Sequence, residues 1–347
     1  MSLMLKEMEY ILNHTRSLWD SVSGKSFFIA GGTGFIGRWL LESFAYINHS
    51  LELNNKLYVL ARTPDKFLIE NPGFKNHSDI VFIKGDVRSF EFPGRNVDYI
   101  VQAASGIITN LTADNSFELM DTIVAGTRRM LNFARQSNTK RFLFLSSGAV
   151  YGKQPDELMS IPESYNGTPE STDANSVYGQ SKRMAEMLCG IYNKHYGIGT
   201  VVARCFAFIG PYLSLDDHYA IGNFIRDSLN KKPIIVTGDG TPLRSYLYAA
   251  DMAVWLWTIL FKGTPATAYN VGSDIPISIA DLAHKVAAVS GMADSVQILK
   301  KPPATAIRQR YIPCIDKAKL ELKLDCQTNI DDAIKKTMQF YSRKGPS

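Results

Sequence analysis

The sequence predicts a doubly wound α/β fold: a parallel sheet with helices on both faces, followed by a smaller C-terminal lobe. Three observations predict it. Apolar strand candidates alternate with helical stretches through the first two-thirds of the chain. A glycine-rich turn joins the first strand to the next helix. A Tyr/Lys pair four residues apart opens a helix that follows a strand ending in two serines.

The strand candidates are Ser26–Ala30, Lys56–Ala61, Ile80–Lys84, Tyr99–Ala103, Arg141–Ser146 and Thr200–Arg204. Each is a short apolar run, as strands buried on both faces require. Helical stretches lie between them, notably Phe117–Ser137 and Tyr178–Tyr196. Met4 to Trp19 reads as a short amphipathic helix. Pro155–Asn175 is rich in Pro, Ser, Thr, Glu and Asp and reads as a loop over one edge of the sheet. Beyond Arg204 the alternation becomes irregular. Gly222–Asn230 looks helical, Pro233–Thr237 is a short strand candidate, and Gly238-Asp239-Gly240 is a turn.

Between the first strand and its helix stands Gly31-Gly32-Thr33-Gly34-Phe35-Ile36-Gly37. Strand, glycine turn and helix N-terminus are what a dinucleotide pyrophosphate needs, the Rossmann arrangement. Gly31 permits the tight turn, Gly34 lets backbone approach phosphate oxygens, and Gly37 lets the helix pack on the strand. The helix offers unpaired N–H groups and a positive dipole end to the anion. The spacing is Gly-x-x-Gly-x-x-Gly, so it needs an independent second motif. Tyr178-Gly179-Gln180-Ser181-Lys182 supplies one. Tyr178 and Lys182 share a helix face, and an ammonium near a phenol favours the phenolate, making Tyr178 a usable acid/base. Ser147, at the carboxyl end of the strand begun at Arg141, sits where open α/β sheets bind ligands.

Together these motifs resemble the extended short-chain dehydrogenase/reductase family, in its nucleotide-sugar epimerase, dehydratase and reductase branch. The resemblance runs from about Ser26 to about Tyr341. It implies a catalytic set of Ser147, Tyr178 and Lys182, and a dinucleotide held by Gly31, Thr33, Gly34, Phe35, Ile36 and Gly37. Asp86 and Val87, after the third strand, would meet the adenine. Ala104, after the fourth, would let the dinucleotide approach. The family's chain order implies a dinucleotide-binding domain of residues 1–205 plus 245–272, with a helix over Asp251–Lys262 and a strand over Ala268–Val271. The substrate-binding lobe would be 206–244 plus 273–347.

The cofactor is expected to be NAD(P). In NAD enzymes an acid commonly ends the second strand and holds the ribose; here Ala61 stands there, followed by Arg62. A guanidinium suits a 2′-phosphate, so Arg62 leans the reading towards NADP; stacking on adenine or plain exposure are its other readings. Arg38 either adds positive charge near the phosphates or faces solvent.

In the shared mechanism Tyr178 removes a sugar hydroxyl proton while the nicotinamide takes hydride from the same carbon. Ser147 polarises the oxygen, and Lys182 binds the nicotinamide ribose. Related 4,6-dehydratases carry Asp-Glu after the catalytic Thr, and decarboxylating relatives a Glu in the same segment. This chain has Gly148-Ala149 there, and neither moves a proton. The expected activity is therefore 4-epimerisation or keto reduction. A dehydratase with relocated acid/base, or a reductase of a non-nucleotide ketone, is the alternative. Glu163 reads as a solvated loop charge. His218 stands near the second acid/base of bifunctional epimerase/reductases and reads as a surface histidine.

On the substrate side, matched segments nominate Arg244 and Arg310 as forks for a nucleotide diphosphate, with Asn223 as a further donor. Three positions depart from the family pattern: Gln102 replaces a common His, Ile123 a common Asn, and Ala207 the Asn that meets diphosphate.

Composition bounds the rest. The chain has 347 residues, 45% hydrophobic and 20% charged, enough for a large core in one or two domains. Its net charge of +5 is scattered, without the basic stripe that nucleic acid requires. No apolar run reaches spanning length, and no secretory pattern opens the chain. Cys189, Cys205, Cys314 and Cys326 lack metal-type spacing and read as reduced thiols. The expectation is a cytoplasmic enzyme without metal, acting on a nucleotide-diphosphate sugar. The resemblance implies a homodimer through the two long helices, Phe117–Ser137 and Tyr178–Tyr196.

Overall fold

The computed structural model describes residues 2–106, 111–217, 219–301 and 308–342. In chain order the strands are β1 (Ser26–Ala30), β2 (Lys56–Ala61), β3 (Ile80–Lys84), β4 (Tyr99–Gln102), β5 (Arg141–Ser147), β6 (Gly199–Cys205), β7 (Phe208–Ile209), β8 (Ile234–Val236), β9 (Leu243–Arg244), β10 (Leu247–Tyr248), β11 (Ala268–Val271), β12 (Ile277–Ser278), β13 (Val296–Ile298) and β14 (Arg310–Tyr311). The helices are α1 (Leu3–Thr15), α2 (Phe35–Ser50), α3 (Pro64–Glu70), α4 (Ala113–Gln136), α5 (Val177–Tyr196), α6 (Ala220–Leu229), α7 (Ala249–Lys262), α8 (Ile279–Val289), α9 (Asp316–Leu322) and α10 (Ile330–Ser342).

Seven strands form one sheet in the order β11-β6-β5-β4-β1-β2-β3, every pair parallel. Successive strands step outward in one direction from β1 to β3 and in the other from β4 to β6. Strand order therefore reverses between β1 and β4, and the crevice beyond their carboxyl ends is where such sheets take ligands. Both sheet faces are covered. One face packs the cluster around Trp39, Phe44, Trp255 and Trp257; the other packs Phe28, Phe90, Phe133 and Phe142.

The N-terminal helix belongs to this architecture. Met8, Ile11 and Leu12 of α1 are buried in the first cluster, and Tyr10 donates to Asp251 of α7 at 2.5 Å. α7 is buried along nearly its whole length, from Ala249 to Leu260. Its apolar surface faces α1, α2 and the sheet. No described helix is long and apolar enough to cross a membrane.

Three helix starts lie two or more residues before the sequence expectation, that of α6 at Ala220 rather than Gly222. α4 begins at Ala113, four residues before Phe117, because Thr112 and Asn115 form a reciprocal cap. α7 begins at Ala249, directly after β10. After β6 the chain leaves the large sheet for α6, β8 and β9, and returns through β10 and α7 to β11. The small sheets β12-β9-β14 and β13-β8 then knit the later segments to this excursion.

Candidate active site

The glycine turn packs at the strand-order reversal. Gly31 has φ +80°, a backbone state that suits glycine. A Cβ on it would lie 2.8 Å from the backbone nitrogen of Ala104, so β1 and the end of β4 approach as closely as backbones can. A Cβ on Gly37 would strike the carbonyl of Gly31, which is why α2 can start tight against the turn. α2 has no side-chain cap and no acid in its first turn. The first-turn N–H groups of Phe35 and Ile36 lie at the dipole's positive end, while that of Gly34 donates to the Gly31 carbonyl at 3.2 Å. These residues fit a dinucleotide pyrophosphate: the cradle is one that side chains would fill.

Around this cradle the predicted cofactor residues take different stations. Thr33, Phe35, Ile36 and Ala104 are half-buried, and Val87 is buried beneath Gly126. Asp86 is clasped by Arg88, whose Nε and Nη2 donate at 2.9 and 2.7 Å. That bond holds its carboxyl below the usual carboxylate range. Arg62 is exposed past β2, and its charge reaches Asp86. Arg38 is engaged by neighbouring side chains. It donates to Glu42 and Asn71 and lies 3.7 Å above the Tyr212 ring. Gln102 is buried, with its amide nitrogen 3.4 Å from the Ala104 carbonyl.

Ser147 ends β5 and caps the short turn Gly148–Tyr151 by accepting from the Ala149 N–H at 3.1 Å. The first turn of α5 lies against this segment because Gly179 carries no side chain. A Cβ there would be 2.7 Å from the Ala149 carbonyl. That contact brings Tyr178 within hydrogen-bonding reach of Ser147. Lys182, one turn on, is 3% exposed and donates to the Leu145 carbonyl at 2.7 Å, leaving two ammonium protons for a ligand. So the structure brings Ser147, Tyr178 and Lys182 together at the carboxyl edge of the sheet.

Electrostatics here corrects one expectation. Burial pushes Tyr178 up to about 12, with the Ser147 bond pulling it down only in part. Burial lowers Lys182 to about 8. The ammonium sits over the Tyr178 ring, 5.7 Å from its centre. Desolvation is the largest cause of both shifts.

Beneath the serine lies a polar network that the motif reading missed. Glu186 accepts from Ser146 at 2.5 Å and from Arg204 at 2.7 Å, and Arg204 also donates to Tyr151 at 2.9 Å. Tyr151 donates to Asn270 of β11 at 2.8 Å. Tyr178, Lys182 and Glu186 form one stripe of α5 at intervals of four, the signal that was available in the sequence. Glu163, expected as a solvated charge, instead accepts from the Asn270 N–H at 2.8 Å, and burial raises its pKa. It pins the long loop to the sheet edge.

The substrate-side candidates are less gathered. Register sets Tyr311 beside Arg244 and Arg310 beside Leu243, so strand alternation puts the two arginines on opposite faces of the small sheet. Arg244 donates to its neighbour's carbonyl at 2.8 Å and Arg310 to the Asp156 carbonyl at 2.8 Å. Asn223 accepts from Arg226 through its amide oxygen at 3.1 Å. His218 lies outside the described residues. Tyr311, unremarked in the sequence beyond its place after Arg310, reaches Ser147 from β14. No metal-binding cluster of His, Cys, Asp or Glu occurs among the described residues.

Residues 27–272 match the NAD dependent epimerase/dehydratase family. The chain belongs to this family. It is thereby an NAD-dependent, sugar-nucleotide-modifying enzyme of the extended short-chain dehydrogenase/reductase class. Among its relatives, UDP-glucuronic acid decarboxylase 1 of Danio rerio is 27% identical over 320 residues, 92% of this chain and 73% of the relative. A probable dTDP-glucose 4,6-dehydratase of Sinorhizobium fredii is 27% identical over 344 residues, 91% of this chain and 93% of the relative. The fold matches the UDP-glucuronic acid 4-epimerase of Bacillus cereus, solved in complex with NAD, with a TM-score of 0.76. That match has 21% identity and covers 93% of this chain and 98% of the other. The seven-stranded doubly wound sheet of this family member is thus the expected one.

Proposed function

We propose that this family member oxidises and re-reduces a sugar carbon of a nucleotide-diphosphate sugar, acting as a 4-epimerase or keto-reductase. The observation that supports this reading is the state of the carboxylates. Residues 148 and 149 are Gly and Ala. Glu186 is committed to Arg204 and Ser146, and Glu163 to the Asn270 backbone. An ion pair holds Glu186 and a backbone N–H holds one oxygen of Glu163, which disfavours both as the proton carrier that elimination would require.

The closeness of Ser147, Tyr178 and Lys182 supports the following residue roles. Tyr178 takes the hydroxyl proton, Ser147 donates to the oxygen as it becomes a carbonyl, and Lys182 directs its remaining N–H groups at the nicotinamide ribose. The bound nicotinamide supplies hydride acceptance and return. The turn from Gly31 to Gly37 with Ala104, Asp86 and Val87 holds the dinucleotide, and Arg244, Arg310 and Asn223 serve the nucleotide diphosphate. We assign residues 1–205 and 245–272 to the dinucleotide domain and 206–244 and 273–347 to the substrate lobe.

For the cofactor, NAD(P) is proposed, and exposed Arg62 with no acid ending β2 favours the phosphorylated form. The test is thermal melting with NAD or NADP, each with a panel of nucleotide sugars, followed by product analysis. A ligand at a hundredfold its Kd should add about 2.7 kcal/mol of stability. A C4 epimer or reduced sugar as product supports the reading; release of water or carbon dioxide sinks it. Strong stabilisation by NAD alone removes the Arg62 argument.

A homodimer through α4 and α5 is also proposed. Besides its buried inner face, α5 exposes Met184, Met187 and Ile191, and α4 exposes Phe117 and Met120. Their spacing makes one apolar strip along each helix. Met187→Glu with Ile191→Glu should convert a dimer on gel filtration to a monomer. A monomeric parent protein would end this proposal.

A further inference from the structure

Gly148 follows Ser147, and the space beside it is filled from a distant part of the chain. A Cβ at Gly148 would lie 2.6 Å from the Tyr311 hydroxyl and 2.7 Å from the Phe206 ring. The rings of Phe206 and Tyr311 are 4.6 Å apart and close over Val150, Tyr151 and Ile161. Real Cβ atoms essentially never approach within 3.0 Å, so position 148 admits no larger residue without displacing Tyr311 or Phe206.

Tyr311 and Tyr178 both lie within hydrogen-bonding reach of the Ser147 hydroxyl. Two phenols therefore meet at one serine, one from α5 and one from β14. A serine oxygen has one proton and two lone pairs. The Ala149 N–H occupies one lone pair at 3.1 Å. A proton donated by Tyr311 would occupy the other. The serine's own proton is then left for the Tyr178 oxygen, or for a substrate oxygen seated beside it.

We propose that Tyr311 is a positioning and specificity-determining residue of this active site. Its hydroxyl stands where the side chain of residue 148 would act, and it orients the Ser147 proton towards Tyr178. The inference rests on the proposed roles of Ser147 and Tyr178 and deepens them. Chemically, it replaces a charged proton carrier by a neutral phenol, which confines the site to hydride transfer with one acid/base. It also joins the C-terminal lobe to the catalytic set, because Tyr311 pairs in register with Arg244. Hydroxyls in such a chain polarise one another, and donation to Tyr178 favours its phenolate.

The experiment compares the parent protein with Y311F, G148A and G148A/Y311F. Y311F keeps the ring and removes one hydrogen bond. It should lower kcat about tenfold while KM for the nucleotide sugar changes less than about twofold. Its kcat should also need a higher pH, by about one unit, because Tyr178 loses support for its phenolate. A packing role alone would leave that profile in place. G148A should lower Tm by roughly 5 °C through overpacking, and Y311F in the same chain should recover part of the loss. Parental kcat and pH profile in Y311F overturn the proposal, and so do additive Tm changes in the double variant. If the parent converts no nucleotide sugar, the proposed function fails, while the Tm coupling still decides whether Tyr311 fills position 148.

Discussion

Tyr178→Phe is expected to lower kcat by about a thousandfold, with Tm changed by only about 2 °C and dinucleotide binding retained. Tyr178 opens α5 one turn before Lys182, and the Ser147 hydroxyl beside it pulls the phenol's pKa down in part. Loss of the oxygen leaves the ring in its pocket, so the fold keeps its packing. The pH dependence has a defined sign. Burial holds the free phenol at about 12, so its deprotonated form grows as pH rises. Oxidation, which needs the phenolate, should accelerate with pH up to the value that the bound positive nicotinamide and Lys182 together set. Single-turnover reduction of the dinucleotide by substrate measures this step. A variant that retains more than a tenth of parental kcat would show that another group carries the proton.

Lys182→Met separates function from stability. Activity should fall at least a hundredfold, because the ribose contact and the charge beside Tyr178 disappear together. Stabilisation by the dinucleotide should shrink in the same variant. Yet without ligand the protein should melt higher. The lysine is 3% exposed, and burial lowers its pKa from 10.5 to about 8. Between those values the unfolded chain holds a proton that the folded chain has released, so the parent gains stability as pH rises through that window. Below pH 8 the cost of burying the ammonium is present in full. Offset by the lost bond to the Leu145 carbonyl, its removal should add about 2 kcal/mol at pH 7. That advantage should vanish towards pH 10.5. Denaturant melts at several pH values measure it; a variant less stable than the parent at every pH would refute the argument.

Most of the large sheet was legible because its strands read as short apolar runs, largely buried apart from the edge strand β3, while the expectation for β11 came from the family resemblance. β1, β2, β3 and β11 occupy the expected residues, and β4, β5 and β6 differ by one or two at their ends. The start of α4 was not legible, because Asn115 replaces the Glu or Gln that usually marks such a cap. Arg38 was ambiguous for a different reason. Its position after Gly37 allows phosphate contact, but Glu42, Asn71 and Tyr212 engage it, and Tyr212 is far along the chain. Glu163 shows the same limit. Loop composition suggests solvent, whereas the Asn270 N–H, 107 residues away, takes its carboxylate.

Sequence pattern alone was enough for the doubly wound sheet, the phosphate cradle at Gly31–Gly37 and the family, since each piece is a short local motif and the pieces recur in a fixed order along the chain. Folding alone could show that Tyr178 is held up by burial, that Lys182 spends a bond on Leu145, and that Tyr311 closes the space beside Gly148. Those facts depend on solvent exclusion and on contacts between segments more than a hundred residues apart in the case of Tyr311. Neither quantity is encoded in the spacing of neighbouring residues, so they emerge only once the lobes have packed.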